Sequence, residues 1–320
     1  MVKIGIIGVG KWGKNHLRVL NEIDCELIGI SDADLNKKEL SKKSNIKFFP
    51  DYSCLLKEVD CVTIAAPTDI HFNIVKDCLE NGKHVLVEKP IADTSEKAKQ
   101  LVEIADKSNL ILSVGYIYRF NNSIIRLKEI MNKIGKIQYI TCRYIHSTKP
   151  PRTDSGAIIN LSIHPIDILN FITSTKPVKV FAKKSNILSK KLEDSAVITL
   201  DYIDFFATIE VSCTHPEKKR DMWIIAENEK LYVDYFNQKI IRYPIKVSYK
   251  KVERQDSYEE DIIANEPLKD ELKYFIEVVK TNKKKKISNI QNIGREEYYT
   301  TRICELSVES AENGQEKKIL

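Results

Sequence analysis

The opening stretch of this chain constrains its fold more than any other. An apolar run, Val2-Lys3-Ile4-Gly5-Ile6-Ile7, leads straight into Gly8-Val9-Gly10-Lys11-Trp12-Gly13. A strand that must stop, reverse and feed a helix beside a pyrophosphate needs glycine at three points. Gly8 allows the tight turn, Gly10 leaves room for the phosphates, and Gly13 lets helix and strand pack closely. The helix expected over residues 15–21 offers its free N–H groups and its dipole to the anion, with Lys11 and Trp12 in the same turn. A second strand, over 26–30, ends at Ser31-Asp32, near the spacing of about 20 residues at which an acid holds the adenosine ribose. An aspartate there accepts from both ribose hydroxyls and repels a 2′-phosphate, so the reading is NAD rather than NADP. Asp34 is the alternative acid, because strand ends shift by a few residues.

The pattern that follows alternates. Helices are expected over 36–43, 52–57, 70–81 and 95–108, and strands over 46–49, 59–65, 85–87 and 110–115. Gly82 closes the third of these helices from a C′ position. This βαβ rhythm implies a doubly wound parallel sheet covered on both faces, with ligands at the carboxyl ends of its strands. Gly8, Asp32, Pro67, Glu88 and Tyr116 all fall at such ends. Glu88-Lys89-Pro90 thereby sets an amine at a strand end, where a nicotinamide ring would lie.

After Arg119 the rhythm changes. A helix over 122–133, an alternating run over 135–146 and a helix over 158–172 precede β-rich runs at 178–183, 195–202, 205–212, 221–226, 230–235 and 239–244. Two helices close the chain, 267–280 and 295–312. Turn residues between the runs predict antiparallel pairing. The expected fold is α/β. Residues 1–120 form an NAD-binding Rossmann domain with a doubly wound parallel sheet. Residues 121–320 form an α+β domain with an open, mostly antiparallel sheet. A length of 320 residues suits two domains.

Composition narrows the class. The formal net charge is +6, yet acids and bases are interspersed. The one dense basic run, Lys283 to Lys286, reads as a solvated loop after a helix rather than a nucleic-acid contact. The positive balance favours an anionic substrate. The 7 cysteines lie in no C-x-x-C spacing. Several sit in apolar runs, as small buried hydrophobes in a reducing cytoplasm do, and no structural zinc is expected. No apolar run reaches membrane-spanning length, and the N-terminus reads as a strand rather than a signal peptide. The expectation is a cytoplasmic protein with no metal, nucleic-acid or membrane partner.

Beyond these patterns the chain resembles, almost end to end, the glucose-fructose oxidoreductase, inositol dehydrogenase and rhizopine-catabolism (Gfo/Idh/MocA) family. The marks are the glycine turn at 8–13, Ala66-Pro67-Thr68 with His71, Gly82-Lys83-His84-Val85 leading into Glu88-Lys89-Pro90, and Gly115-Tyr116 with Arg119-Phe120-Asn121. Further marks are Gly156 through Asn160 to His164 and Asp167, then Glu266-Pro267-Leu268 with Glu271 and Phe275. The resemblance implies hydride transfer between a nicotinamide cofactor and a carbohydrate alcohol or ketone. It implies cofactor contacts at Pro67, Thr68, His71 and Glu88, and substrate contacts at Lys89, Tyr118, Arg119, Asn160 and His164. Lys89 and His164 are the implied catalytic pair, His164 as acid/base and Lys89 on the reacting hydroxyl. Asn160 and His164 lie four apart on an expected helix and so share a face. Many relatives carry aspartate at the place of Asn160; asparagine orients by hydrogen bonding without joining a proton relay.

Within the family the resemblance is to enzymes that oxidise C3 of UDP-N-acetylglucosamine or its uronic acid and feed an aminotransferase for surface glycans. It rests on Asn160, on Tyr118-Arg119-Phe120-Asn121 and on Glu266-Pro267-Leu268. A dehydrogenase of a free polyol such as inositol, and a non-catalytic NAD- and sugar-binding regulator, are the alternatives. Retention of both Lys89 and His164 argues against the regulator. Some residues carry a second reading: a helix cap or cofactor contact for His71, an ion pair for Arg119, and either solvation or a diphosphate contact for the basic loop His146, Lys149 and Arg152. By family analogy a homodimer or homotetramer is expected, built on one face of the antiparallel sheet.

Overall fold

The computed structural model describes residues 1–147, 154–281 and 297–319. The Lys283–Lys286 run and two members of the basic loop, Lys149 and Arg152, lie outside the described residues.

Two compact units emerge: Met1–Ile117 with Glu266–Thr301, and Tyr118–Asn265 with Arg302–Leu320. In the first, β1 (Lys3–Ile7), α1 (Gly13–Leu20), β2 (Glu26–Ser31), α2 (Lys38–Ser44), β3 (Lys47–Phe49), α3 (Tyr52–Leu56), β4 (Cys61–Ile64), α4 (His71–Glu80), β5 (His84–Glu88), α5 (Ser95–Lys107) and β6 (Leu112–Gly115) alternate as expected. The sheet runs β3-β2-β1-β4-β5-β6, all parallel. This is the doubly wound order whose switch point, between β1 and β4, opens a crevice at the strands' carboxyl ends. The central strands are apolar on both faces because helices cover both: Ile4, Ile6, Val62, Ile64, Val85 and Val87 are fully buried. Gly82, at φ +71°, follows α4 as the left-handed C′ residue that ends a helix before a sharp turn.

The second unit holds α6 (Asn122–Ile130), β7 (Ile137–Ile145), α7 (Ile163–Thr173), β8 (Lys179–Ser185), β9 (Ser195–Asp201), β10 (Phe206–Ser212), β11 (Lys219–Ala226), β12 (Lys230–Asp234), β13 (Lys239–Tyr243), β14 (Ile245–Val247), β15 (Val252–Arg254) and β16 (Tyr258–Glu259). The chain then runs through α8 (Pro267–Thr281) and α9 (Glu297–Asn313) to β17 (Lys317–Lys318). The large sheet is ordered β16-β13-β12-β11-β7-β10-β9-β8-β17. Only β7 and β10 pair in parallel; the other neighbours are antiparallel. One face, carrying Ile140, Cys142, Ile209, Val211 and Ile224, is buried, and α7 packs on it at β7. The other face keeps partly exposed aromatics, with Tyr139 stacked on Phe206 at 5.6 Å and Trp223 packed on Tyr232 at 5.1 Å.

The units differ from a single cut after residue 120. Helix α8 belongs to the first unit. Its stripe Leu268, Leu272, Phe275, Ile276 and Val279 has helical spacing and joins the core cluster of Ile4, Ile6, Leu17 and Leu20. Ion pairs of Arg18 and Lys269 with Glu22, and of Arg18 with Glu266, fasten α8 to α1. A sequence scan sees an amphipathic helix but not which core receives its apolar face. The short β14–β17 were also not expected, since segments of two or three residues carry no periodicity.

Candidate active site

The glycine turn has the geometry that its spacing requires. Gly8 sits at φ +84°, where an L side chain is strained. A Cβ on Gly13 would stand 2.0 Å from the Gly8 carbonyl oxygen, so only glycine lets α1 approach β1 this closely. A Cβ on Gly10 would meet nothing within 4 Å, which leaves that side of the turn open. Lys11 and Trp12 are exposed beside it. Asp32 stands at the end of β2 with its Oδ2 accepting from Val9 N at 2.8 Å and its Oδ1 accepting from Asp34 N at 2.9 Å. Asp32 thus touches the glycine turn itself. Asp34 instead caps the short 3-10 turn that follows, accepting from Asn36 N, and pairs with Lys37. These residues fit a dinucleotide: an open turn for the pyrophosphate and, beside it, a carboxylate whose oxygens each keep a lone-pair direction for a ribose hydroxyl.

Glu88, at the end of β5, is a hub. Its Oε1 accepts from the Trp12 indole and lies 3.0 Å from His16 Nε2, while His16 Nδ1 lies 2.7 Å from Thr63 Oγ1. His16 is fully buried. Gly115 makes room for this carboxylate, because a Cβ there would come within 3.1 Å of it. Lys89 is half-buried and its bond to Pro90 is cis. His71, at 1% exposure, faces two backbone carbonyls, Pro90 O at 2.8 Å from Nδ1 and Ala66 O at 2.9 Å from Nε2. It ties the end of β4 to the loop after β5. Pro67, in the segment after β4, is exposed and Thr68 is buried.

In the second unit His164 packs in an aromatic box. Tyr118 meets it edge-on at 5.2 Å and Tyr144 stacks on it at 5.3 Å. Tyr235 closes on Tyr118 at 5.1 Å. Burial pushes the Tyr118 phenol well above its ordinary value, so it stays protonated. Its hydroxyl accepts from Arg220 at 2.9 Å. Arg119 is committed to Asp167: Nε and Nη2 both donate to the carboxylate, and both side chains are nearly inaccessible. Asn121 is also structural, capping α6 through Ser123 N at 3.0 Å.

The helix that carries Asn160 and His164 opens as a π segment, Ile158–Ser162, before becoming α7. Such widened turns recur at functional sites. Glu193 anchors this opening: its Oε1 accepts from Ile158 N at 2.9 Å and its carbonyl accepts from Ala157 N at 2.9 Å. A Cβ on Gly156 would fall 2.0 Å from the Glu193 carboxylate. The remote acid therefore satisfies helix-start N–H groups that would otherwise be orphaned.

The structure gathers Gly8, Gly10, Lys11, Trp12, Gly13, Asp32, Pro67, Thr68, His71, Glu88 and Lys89 in the first unit, and Tyr118, Arg119, Asn160 and His164 in the second. Sequence reasoning missed His16, Thr63, Tyr144, Glu193 and Arg220. His16 had a signal, a polar residue on the apolar stripe of α1. Glu193 had none, since it lies far along the chain from the helix it caps.

A doubly wound sheet with an open glycine turn and a carboxylate beside it at the switch point has the form of a dinucleotide-binding domain. Comparison with known proteins carries this further. A model described as the oxidoreductase family with NAD-binding Rossmann fold matches residues 2–116, and one for the GFO/IDH/MocA C-terminal domain matches residues 124–232. The chain belongs to the Gfo/Idh/MocA family and is an NAD-dependent dehydrogenase. It is 29% identical over 238 residues to UDP-N-acetylglucosamine 3-dehydrogenase of Acidithiobacillus ferrooxidans, covering 74% of this chain and 75% of that protein. It is 28% identical over 217 residues to myo-inositol 2-dehydrogenase of Thermotoga maritima, covering 63% and 65%; the chain spans a little under two thirds of that relative. The solved structure of the Acidithiobacillus enzyme shares the fold, with a TM-score of 0.83 at 24% identity over 97% of this chain and 96% of that one.

Proposed function

We propose that the protein oxidises the C3 hydroxyl of a UDP-sugar, UDP-N-acetylglucosamine or its uronate, to the 3-keto sugar, supplying a later amination in surface-glycan synthesis. The observation that carries this reading is the similarity to a UDP-N-acetylglucosamine 3-dehydrogenase over about three quarters of both chains. Bound NAD supplies the hydride acceptor. His164 takes the hydroxyl proton, and Lys89 hydrogen-bonds the reacting oxygen and stabilises the negative charge that develops on it. Asn160, one turn before His164, orients the sugar. The Tyr118 and Tyr144 rings hold the His164 imidazole in one plane. Gly8, Gly10, Lys11 and Gly13 line the pyrophosphate, and Asp32 holds the ribose. Glu88 acts through Trp12 and His16, and His71 steadies the Lys89–Pro90 loop, while Pro67 and Thr68 border the cofactor. Arg119 serves the site by locking Asp167 on α7.

A homodimer or homotetramer fits the partly exposed aromatics on the open sheet face, and a cytoplasmic setting fits seven free thiols. The similarity to inositol dehydrogenases supports the second reading, a free polyol.

The test is a panel of UDP-N-acetylglucosamine, its uronate, inositol and glucose with NAD, read by nicotinamide absorbance and product mass, with a 3-aminotransferase drawing the equilibrium forward. Turnover of a UDP-sugar that disappears in Lys89→Met and His164→Ala is expected. Turnover of inositol or glucose alone would replace the proposal, and unchanged activity in both variants would remove the catalytic assignment.

A further inference from the structure

Arg220 stands apart from the other arginines. Every other described arginine that is buried or half-buried pairs with a carboxylate: Arg119 with Asp167, Arg126 with Glu260, Arg143 with Asp221, Arg242 with Glu229, Arg302 with Glu305. Arg220 is half-buried at the start of β11, and its partners among the described residues are all neutral. It donates to the Tyr118 hydroxyl at 2.9 Å, and its guanidinium lies 4.7 Å from the centre of the Tyr144 ring and 5.2 Å from that of Phe236. A guanidinium carries five donors and a permanent charge. One acceptor among the described residues leaves most of that capacity for other partners.

A second cation converges on the same place. Lys218 Nζ lies 4.0 Å from the centre of the Phe236 ring, which is 45% exposed. Phe236 carries both cations by cation–π contact, and an anion of more than one charge matches two positive charges so placed. The patch also lies close to the candidate base: Arg220 holds Tyr118, and the Tyr118 ring edges His164.

We propose that Arg220 and Lys218, carried on Phe236, form the subsite for the diphosphate of a nucleotide-linked substrate, with Arg220 taking a phosphate by two parallel N–H donors. Phe236 keeps the cations side by side, and Tyr118 couples the subsite to His164. The proposal rests on the UDP-sugar reading and adds the residues that separate such a substrate from a free polyol, which has no charge to offer them. It differs from the basic loop anticipated in the sequence, of which only His146 is described; that residue follows β7, whose last residue Ile145 pairs with Lys219.

The experiment is calorimetric titration of the whole protein with UDP, uridine, glucuronate and NAD, alongside KM and kcat for the UDP-sugar. Wild type is expected to bind UDP well above uridine. Arg220→Met should weaken UDP by about 10-fold or more while leaving uridine and NAD unchanged, and Arg220→Lys should recover part of the loss. Lys218→Glu, an exposed change that leaves the Tyr118 contact in place, should weaken UDP in the same direction and raise KM with kcat retained at saturation. Wild-type UDP affinity in both Arg220→Met and Lys218→Glu would overturn the subsite while the UDP-sugar reading stood. A loss confined to glucuronate would overturn the diphosphate assignment in favour of a sugar carboxylate. A wild-type protein that ignores UDP and turns over only a free polyol would remove the UDP-sugar reading and this subsite with it.

Discussion

Replacing Asp32 should change which nicotinamide cofactor the protein prefers. Each carboxylate oxygen already accepts one backbone N–H, from Val9 at 2.8 Å and from Asp34 at 2.9 Å, so the side chain is fixed before any ligand arrives. Each hydrogen bond from a ribose hydroxyl to an ionised acceptor contributes about 1.5–3 kcal/mol. Asp32→Ala should therefore weaken NADH by roughly 10- to 150-fold for each hydroxyl released, at about 1.4 kcal/mol per decade. The same charge repels a 2′-phosphate. At about 4 Å and an effective dielectric of about 20 the repulsion is about 4 kcal/mol per unit charge, less in salt. The NADH-to-NADPH affinity ratio should accordingly fall by about two to three orders of magnitude. Asp32→Asn separates the two effects, because it keeps an acceptor oxygen and removes the charge: NADPH should gain while NADH loses less than in Asp32→Ala. Nicotinamide fluorescence titration with both cofactors reads the ratio directly. An unchanged ratio in Asp32→Ala would refute the reasoning, and a change in Asp34→Ala instead would transfer the role to the neighbouring acid.

Other perturbations test the frame around the site. Gly13→Ala should abolish measurable NAD binding while the second unit's near-ultraviolet circular dichroism is kept, since the new Cβ would meet the Gly8 carbonyl oxygen at 2.0 Å. Glu193→Ala should lower kcat and stability together, by about 1–3 kcal/mol in a denaturant titration, because it leaves the Ile158 N–H without its acceptor. Glu260, held below the ordinary carboxylate range by Arg242 and Arg126 despite its burial, should contribute stability that is full above about pH 4.3 and fades as pH falls through its depressed folded value. Glu260→Gln should flatten that part of the acid-unfolding curve. Native alkylation at neutral pH should label Cys54, the exposed thiol, well before the rest, since burial pushes Cys25 to about 11 and Cys78 to about 12; all 7 should react once the chain is unfolded.

What the sequence revealed and what it hid divide along a physical line. The glycine turn, Asp32 and the βαβ rhythm were legible because local chemistry dictates them: a left-handed φ at Gly8, a close approach at Gly13, and apolar runs in strands buried on both faces. The assignment of Lys89 and His164 comes from resemblance alone, while their placement after a strand and on a helix follows from local pattern. The residues that hold these groups in place were not legible, because each acts across a long separation in the chain. His16 reaches Glu88, Glu193 reaches Ile158, and Arg220 reaches Tyr118 only after the sheets have formed. The same limit explains α8, whose amphipathic stripe was evident while the core that accepts it was not. It explains Arg119 as well, where a charge beside a substrate motif turned out to be satisfied by Asp167. A half-buried charge is informative only when its partner is known. For most arginines of this chain the partner is a carboxylate and the argument ends there. For Arg220 the fold supplies a hydroxyl and two rings, which sets a permanent charge against Tyr118 and Tyr144, the rings that flank His164.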